Sequence, residues 1–120
     1  MMNAVRQAIE KAEGFITLGL GEDAWNVLED LPSESKNHPR VLELRLESLV
    51  CLHNWPMAEI LGDSLAGIMP DSVSVWLSLA RIRAQLGRRE AALDAIRRVT
   101  ALDASKRLEM VEDDLLANVW

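Results

Sequence analysis

The chain has 120 residues, 49% hydrophobic and 27% charged, which is enough for one continuous core and too short for a multi-domain enzyme. A formal charge of −6 argues against a phosphate-binding surface over the whole molecule, so nucleic acid is not an expected partner. No apolar run reaches the roughly 20 residues of a spanning helix, and the start MMNAVRQAIEK lacks the pattern of a signal peptide. A cytoplasmic address without a membrane partner is therefore expected. Cys51 is the only cysteine, which excludes an internal disulfide and a multi-cysteine zinc site.

Leucine and alanine dominate, tyrosine is absent and strictly alternating β-branched runs are missing, which predicts an all-α chain. Val5, Ala8, Ile9, Ala12, Phe15 and Ile16 recur at helical spacing and give a first helix that stops at Gly19 and Gly21. Ala24, Trp25, Val27, Leu28 and Leu31 carry a second, ended by Pro32 and followed by the polar linker SESKNH. Pro39 suits the first turn of a third helix bearing Leu42, Leu46, Leu49 and Leu52, and His38 before it reads as a capping or solvent-facing residue. His53 and Asn54 interrupt, and Ile60, Leu61, Leu65 and Ile68 form a fourth helix between Pro56 and Pro70. Asp71 or Ser72 caps a fifth with Trp76, Leu79, Ala80 and Leu86, which Gly87 stops. Ala91, Ala92, Leu93, Ile96, Val99 and Leu102 make a sixth. Ser105 caps a seventh that runs through Leu108, Val111, Leu115, Leu116 and Val119. About seven antiparallel helices account for nearly every residue.

Laid on itself at an offset of 34, the chain brings Leu18, Leu52 and Leu86 into one column and Ala24, Ala58 and Ala92 into another. Ala8, Leu42 and Trp76 form a third, Ala12, Leu46 and Ala80 a fourth, and Leu31, Leu65 and Val99 a fifth. The segments LGLGEDA, LHNWPMA and LGRREAA lie between the first two columns, each joining two helices. A helix–turn–helix unit of this length with alanine opening its second helix resembles the tetratricopeptide repeat, and VWLSLARIRAQLGRREAALDAIRRVTALDA resembles it best. The resemblance implies an α-α superhelix over residues 1–120, with units at about 5–38, 39–72 and 73–104 and a covering C-terminal helix at 105–120. Departures from the pattern are Pro32, Gly62 and Arg83, the last two standing where larger or aromatic side chains are usual.

Little in the chain points to catalysis, a metal or a cofactor. Cys51 and His53 are two residues apart, which on a helix points them in different directions, and no third ligand type clusters beside them. Glu109, Glu112, Asp113 and Asp114 lack the spacing of a calcium loop and read as a solvated face. The charge is uneven: −5 over residues 1–34, −1 over 35–70, +2 over 71–104 and −2 over 105–120. Arg81, Arg83, Arg88, Arg89, Arg97 and Arg98 make the third unit basic, read as a solvated face with pairs such as Asp94 with Arg98, or as a patch for an anionic partner or for head-to-tail contact with the acidic first unit of a second molecule. Trp25 and Trp76 fall on apolar stripes and read as core. Trp55 and Trp120 read as covers of seams between units.

In proteins with this repeat, the first helices of successive units line a concave surface that receives a peptide. The resemblance then places Ile9, Glu13 and Thr17, then Arg40, Glu43, Glu47 and Cys51, then Ser74, Leu77, Arg81 and Gln85 on that surface. Arg40, Glu43, Glu47, Leu77 and Arg81 are the partner-binding candidates, and the implied function is a non-enzymatic module that binds a protein or peptide segment of mixed or basic character. The alternatives are a self-associating assembly protein, for instance a homodimer, and a small secretion-type chaperone.

Overall fold

Three helices in this chain end in the same way, at a spacing of 34 residues. At Gly19, His53 and Gly87 the backbone turns left-handed, with φ of 77°, 55° and 76°. The N–H of each donates to a carbonyl three residues back, on Ile16, Val50 and Ala84, and the following N–H reaches Phe15, Leu49 and Arg83. This pair of bonds is the Schellman arrangement, which satisfies carbonyls that a helix end leaves without partners. Glycine takes such a φ freely, whereas His53 does so against a penalty of roughly 1–2 kcal/mol.

The computed structural model describes residues 2–120, with side chains from Ala4 onward, so Met1 of the MMNAVRQAIEK start lies outside the described residues. Among these the chain is all-α, without a strand: α1 (Met2–Thr17), α2 (Gly21–Glu29), α3 (Pro39–Cys51), α4 (Trp55–Ile68), α5 (Val73–Gln85), α6 (Arg89–Leu102) and α7 (Arg107–Val111). Turns of 3-10 helix occur at Ser33–Ser35, Ala104–Lys106 and Asp114–Val119. The starts of α2, α4 and α6 are 34 residues apart, as are those of α3, α5 and α7. No helix among the described residues is long and apolar enough to cross a membrane.

The helices group into two units, residues 1–54 and 55–120. In the first, α1 and α2 form a hairpin and α3 packs against both. Ala8, Ala12, Ala24, Leu28, Leu31, Val41 and Leu44 make its core, edged by Val5, Ile9, Phe15, Ile16 and Val27. Each fully buried leucine contributes about 1.5–3 kcal/mol relative to exposure. Helix α2 ends at Glu29, two residues before the expected limit, yet Leu31 stays buried. Helix α3 starts with Pro39 in its first turn, where a missing N–H is harmless, and His38 Nδ1 caps it by accepting from the Arg40 N–H at 3.1 Å. Gly21 opens α2 against the end of α3: a methyl there would lie 3.0 Å from Cys51 Cβ and from the Ser48 carbonyl oxygen.

In the second unit α4 packs on α5, and α5 on α6. Ser72, rather than Asp71, caps α5 by accepting from the Val75 N–H at 3.1 Å. Gly62 stands where a larger side chain is usual because Leu79 fills its place: a Cβ at 62 would fall 2.7 Å from Leu79 Cδ2.

The single seventh helix expected over 105–120 does not form. A 3-10 turn, five residues of α-helix and a second 3-10 turn replace it. Met110, Leu116 and Val119 are the buried side chains of this stretch, while Leu108 and Val111 are exposed. Their spacings of six and three cannot share one face at 3.6 residues per turn, and the backbone breaks out of helical geometry at Asp113, which is extended between α7 and the last 3-10 turn. Ser105 is not the cap; instead the Asp103 carboxylate accepts from its N–H at 3.0 Å and its Oγ at 2.5 Å.

Candidate functional site

Three of the five residues expected to meet a partner, Arg40, Glu43 and Glu47, come together on α3. Their spacing of three and seven places them on one helix face. The Arg40 Nε and Nη2 donate to Glu13 Oε2 of α1 at 3.1 and 2.9 Å, and Nη1 donates to Glu43 Oε1 at 3.2 Å and Glu47 Oε2 at 2.8 Å. Partial burial works to lower the guanidinium pKa, but the Coulombic attraction of Glu47 and the hydrogen bonds to Glu13, Glu43 and Glu47 outweigh it and raise the pKa above its ordinary value. One guanidinium thus holds three carboxylates from two helices.

Glu13 also lines a cleft of about 840 Å³ in the first unit. Ala4, Val5, Ile9 and Pro32 provide its apolar surface, and Glu10, Glu13 and Glu34 its acidic one. Arg6, which pairs with Glu10 at 3.4 Å, and His38 are the basic side chains of the lining. Ile9 and Glu13 were expected on a binding surface. The other wall, from Pro32 to His38, comes from the SESKNH linker, whose sequence has no periodicity to reveal that it folds into a 3-10 turn beside α1.

Leu77 and Arg81 belong to the second unit. Leu77 is only 8% exposed. The Arg81 Nε donates to Asp113 Oδ2 at 2.6 Å, and Gln85 Nε2 donates to the Leu115 carbonyl at 2.9 Å. Asn118 Nδ2 returns a bond to the Ala84 carbonyl at 2.8 Å. Arg81 and Gln85, two of the polar side chains that α5 was expected to offer a partner, are thus engaged by Asp113 and Leu115.

The arginines of residues 81–98 are largely paired as well. Arg97 rather than Arg98 holds Asp94, at 2.7 Å, and Arg88 pairs with Glu59 and Arg89 with Glu90. Arg83 pairs with Asp63 at 3.5 Å and, like Arg98, lies over Trp76, the two guanidinium groups 6.0 and 4.9 Å from the ring centre, and Trp76 Nε1 donates to the Pro70 carbonyl at 2.8 Å. Trp25 is likewise covered by Arg45 at 4.9 Å. Both tryptophans are half-buried under guanidinium groups rather than enclosed in a core. Cys51 is half-buried and His53 lies in the turn that ends α3.

Among the described residues no group of three or more His, Cys, Asp and Glu side chains is placed to hold a metal ion. No family model matches the chain, and no curated protein or solved structure matches it.

Proposed function

We propose that this chain is a non-catalytic interaction module of helical hairpins, similar to tetratricopeptide repeats, which holds a segment of a partner protein. The threefold recurrence of one helix ending and of the helix starts supports the repeat reading. The observation that carries the binding reading is the cleft of residues 1–54, apolar at Val5, Ile9 and Pro32 and acidic at Glu10, Glu13 and Glu34. Glu13 joins that cleft to the Arg40 cluster. The segment that fits is an amphipathic stretch in which lysine or arginine accompanies apolar side chains. Apolar contact supplies most of the affinity, while the carboxylates set the sign of charge that is accepted and speed the encounter. A cytoplasmic address belongs to the same reading.

The test is fluorescence anisotropy with a labelled helical Lys/Leu peptide and a Glu/Leu peptide as control. The Lys/Leu peptide is expected to bind with an affinity that falls as salt is raised. The Glu10→Lys/Glu34→Lys variant, altered at two exposed side chains, is expected to bind about tenfold more weakly, equivalent to ~1.4 kcal/mol. Equal affinity of variant and parent, or equal binding of both peptides, would overturn the assignment.

A further inference from the structure

Residues 110–119 lie on α5 and α6 in the manner of a bound peptide. Met110, Leu116 and Val119 are buried, and with Asp113 they recur at every third residue. Polar contacts fix the register: Arg81 to Asp113, Gln85 to the Leu115 carbonyl and Asn118 to the Ala84 carbonyl. The Asp113 carboxylate is 10% exposed, and it also accepts from the Leu115 N–H at 2.9 Å.

The backbone of this stretch has little stability of its own. From Ala104 to Val119 the chain has a three-residue 3-10 turn, five α-helical residues and a six-residue 3-10 turn, lengths at which isolated helices do not persist in water. Its order therefore comes from docking. It leaves α6 through Asp103, whose backbone is extended at φ −153° and ψ 94°. Departure of the segment would leave Arg81 without its only ion-pair partner among the described residues. A partly buried guanidinium that has lost its carboxylate favours recapture of an equivalent one.

We propose that residues 103–120 are an exchangeable ligand, and that the α5–α6 face, once its own segment leaves, binds the same segment of a second copy of the chain. None of the contacts depends on the segment's belonging to the same chain. Linkage keeps the intramolecular form dominant in dilute solution, because a short linker gives an effective concentration of about millimolar. This inference stands on the second unit alone and is independent of the cleft in the first.

Two full-length variants test it, Arg81→Glu and Asp113→Arg. Each alone opposes like charges both within the chain and between identical copies. In an equimolar mixture both contacts become complementary, but only between different chains. Light scattering is expected to give twice the 13.4 kDa mass for the mixture and the single mass for each variant. A mixture that keeps the single mass would overturn the proposal. Should a variant lose helicity by circular dichroism, the mixture is expected to regain it, and failure to do so counts against the proposal equally. The double variant Arg81→Glu/Asp113→Arg, which restores the pair within one chain, is expected to remain a folded monomer when dilute.

Discussion

Residues 5–51 and residues 73–119 follow the same plan at an offset of 68, from Gly21 to Arg89 and from Pro39 to Arg107. Helix α1 corresponds to α5, α2 to α6, and α3 to the stretch that begins with α7. The alanines at the corresponding positions 12 and 80, and 24 and 92, are fully buried. Glu13 and Arg81 also correspond, with opposite charge, and each reaches the third element, Glu13 through Arg40 and Arg81 through Asp113. The third element itself differs. Val41 and Leu44, buried in α3, correspond to Glu109 and Glu112, both exposed. Continuing the same helix would carry two carboxylates into an apolar seam, at several kcal/mol each without partners. The chain instead ends α7 after five residues, turns extended at Asp113 and continues in a 3-10 turn, with Met110, Leu116 and Val119 as its buried side chains. Two residue types thus separate a permanent third helix from a segment that is held by docking.

The largest effect expected from this comparison comes from truncating one leucine in each third element. Leu44→Ala should cost about 2–5 kcal/mol in urea unfolding, with loss of the α1–α3 helices together. Leu116→Ala removes a comparable side chain, but is expected to release only residues 104–120 and leave most of the circular dichroism signal. Global unfolding by both variants would break the distinction. The converse change, Glu109→Val/Glu112→Leu, gives the second unit the apolar residues of α3. It should raise helicity and add about 1–3 kcal/mol of stability, since apolar burial replaces two solvated carboxylates.

Helix ends offer a smaller and sharper comparison. Gly87→Ala forces a Cβ into the left-handed region and should lower stability by about 1 kcal/mol, while His53→Gly at the equivalent turn relieves the same strain. Thermal midpoints that move in opposite directions check this pair. Smallest is the acid response of Asp103, whose pKa is pulled below the ordinary value by hydrogen bonds from the Ser105 hydroxyl and N–H. A depressed carboxylate stabilises fully above its unfolded pKa and loses that contribution as pH falls through the lowered value. Protection of the Ser105 amide should therefore persist as pH falls through the ordinary carboxylate value of about 4 and be lost only at a lower pH, as seen by hydrogen exchange.

Much of the architecture was legible in the residues. Pro39, Gly19 and Gly87 mark helix limits for local steric reasons, and the 34-residue period survives in the helix starts. The column of Leu18, Leu52 and Leu86 follows the same period, but as the last residue before each left-handed turn rather than as a core position, and Leu18 is 72% exposed there. The site was less legible because its contacts are long in sequence. Arg40 takes Glu13 from 27 residues away, and Arg81 takes Asp113 from 32 away. Asp113 sits in an acidic run that reads as solvated, and nothing local reveals that one of four carboxylates turns inward. The linker wall of the cleft has the same cause, because SESKNH has no periodicity and its 3-10 turn shows only in three dimensions.

Native-state hydrogen exchange on the unmodified chain tests most directly whether the two third elements differ in how they are held. The amides of Asp113, Leu115 and Leu116 donate within the docked segment and should exchange through a local opening that is nearly insensitive to denaturant. Those in the middle of α3 should exchange only when the first unit unfolds, with the denaturant dependence that such exposure brings. Equal opening free energies and equal denaturant slopes in the two stretches would contradict the distinction between a permanent helix and an exchangeable segment.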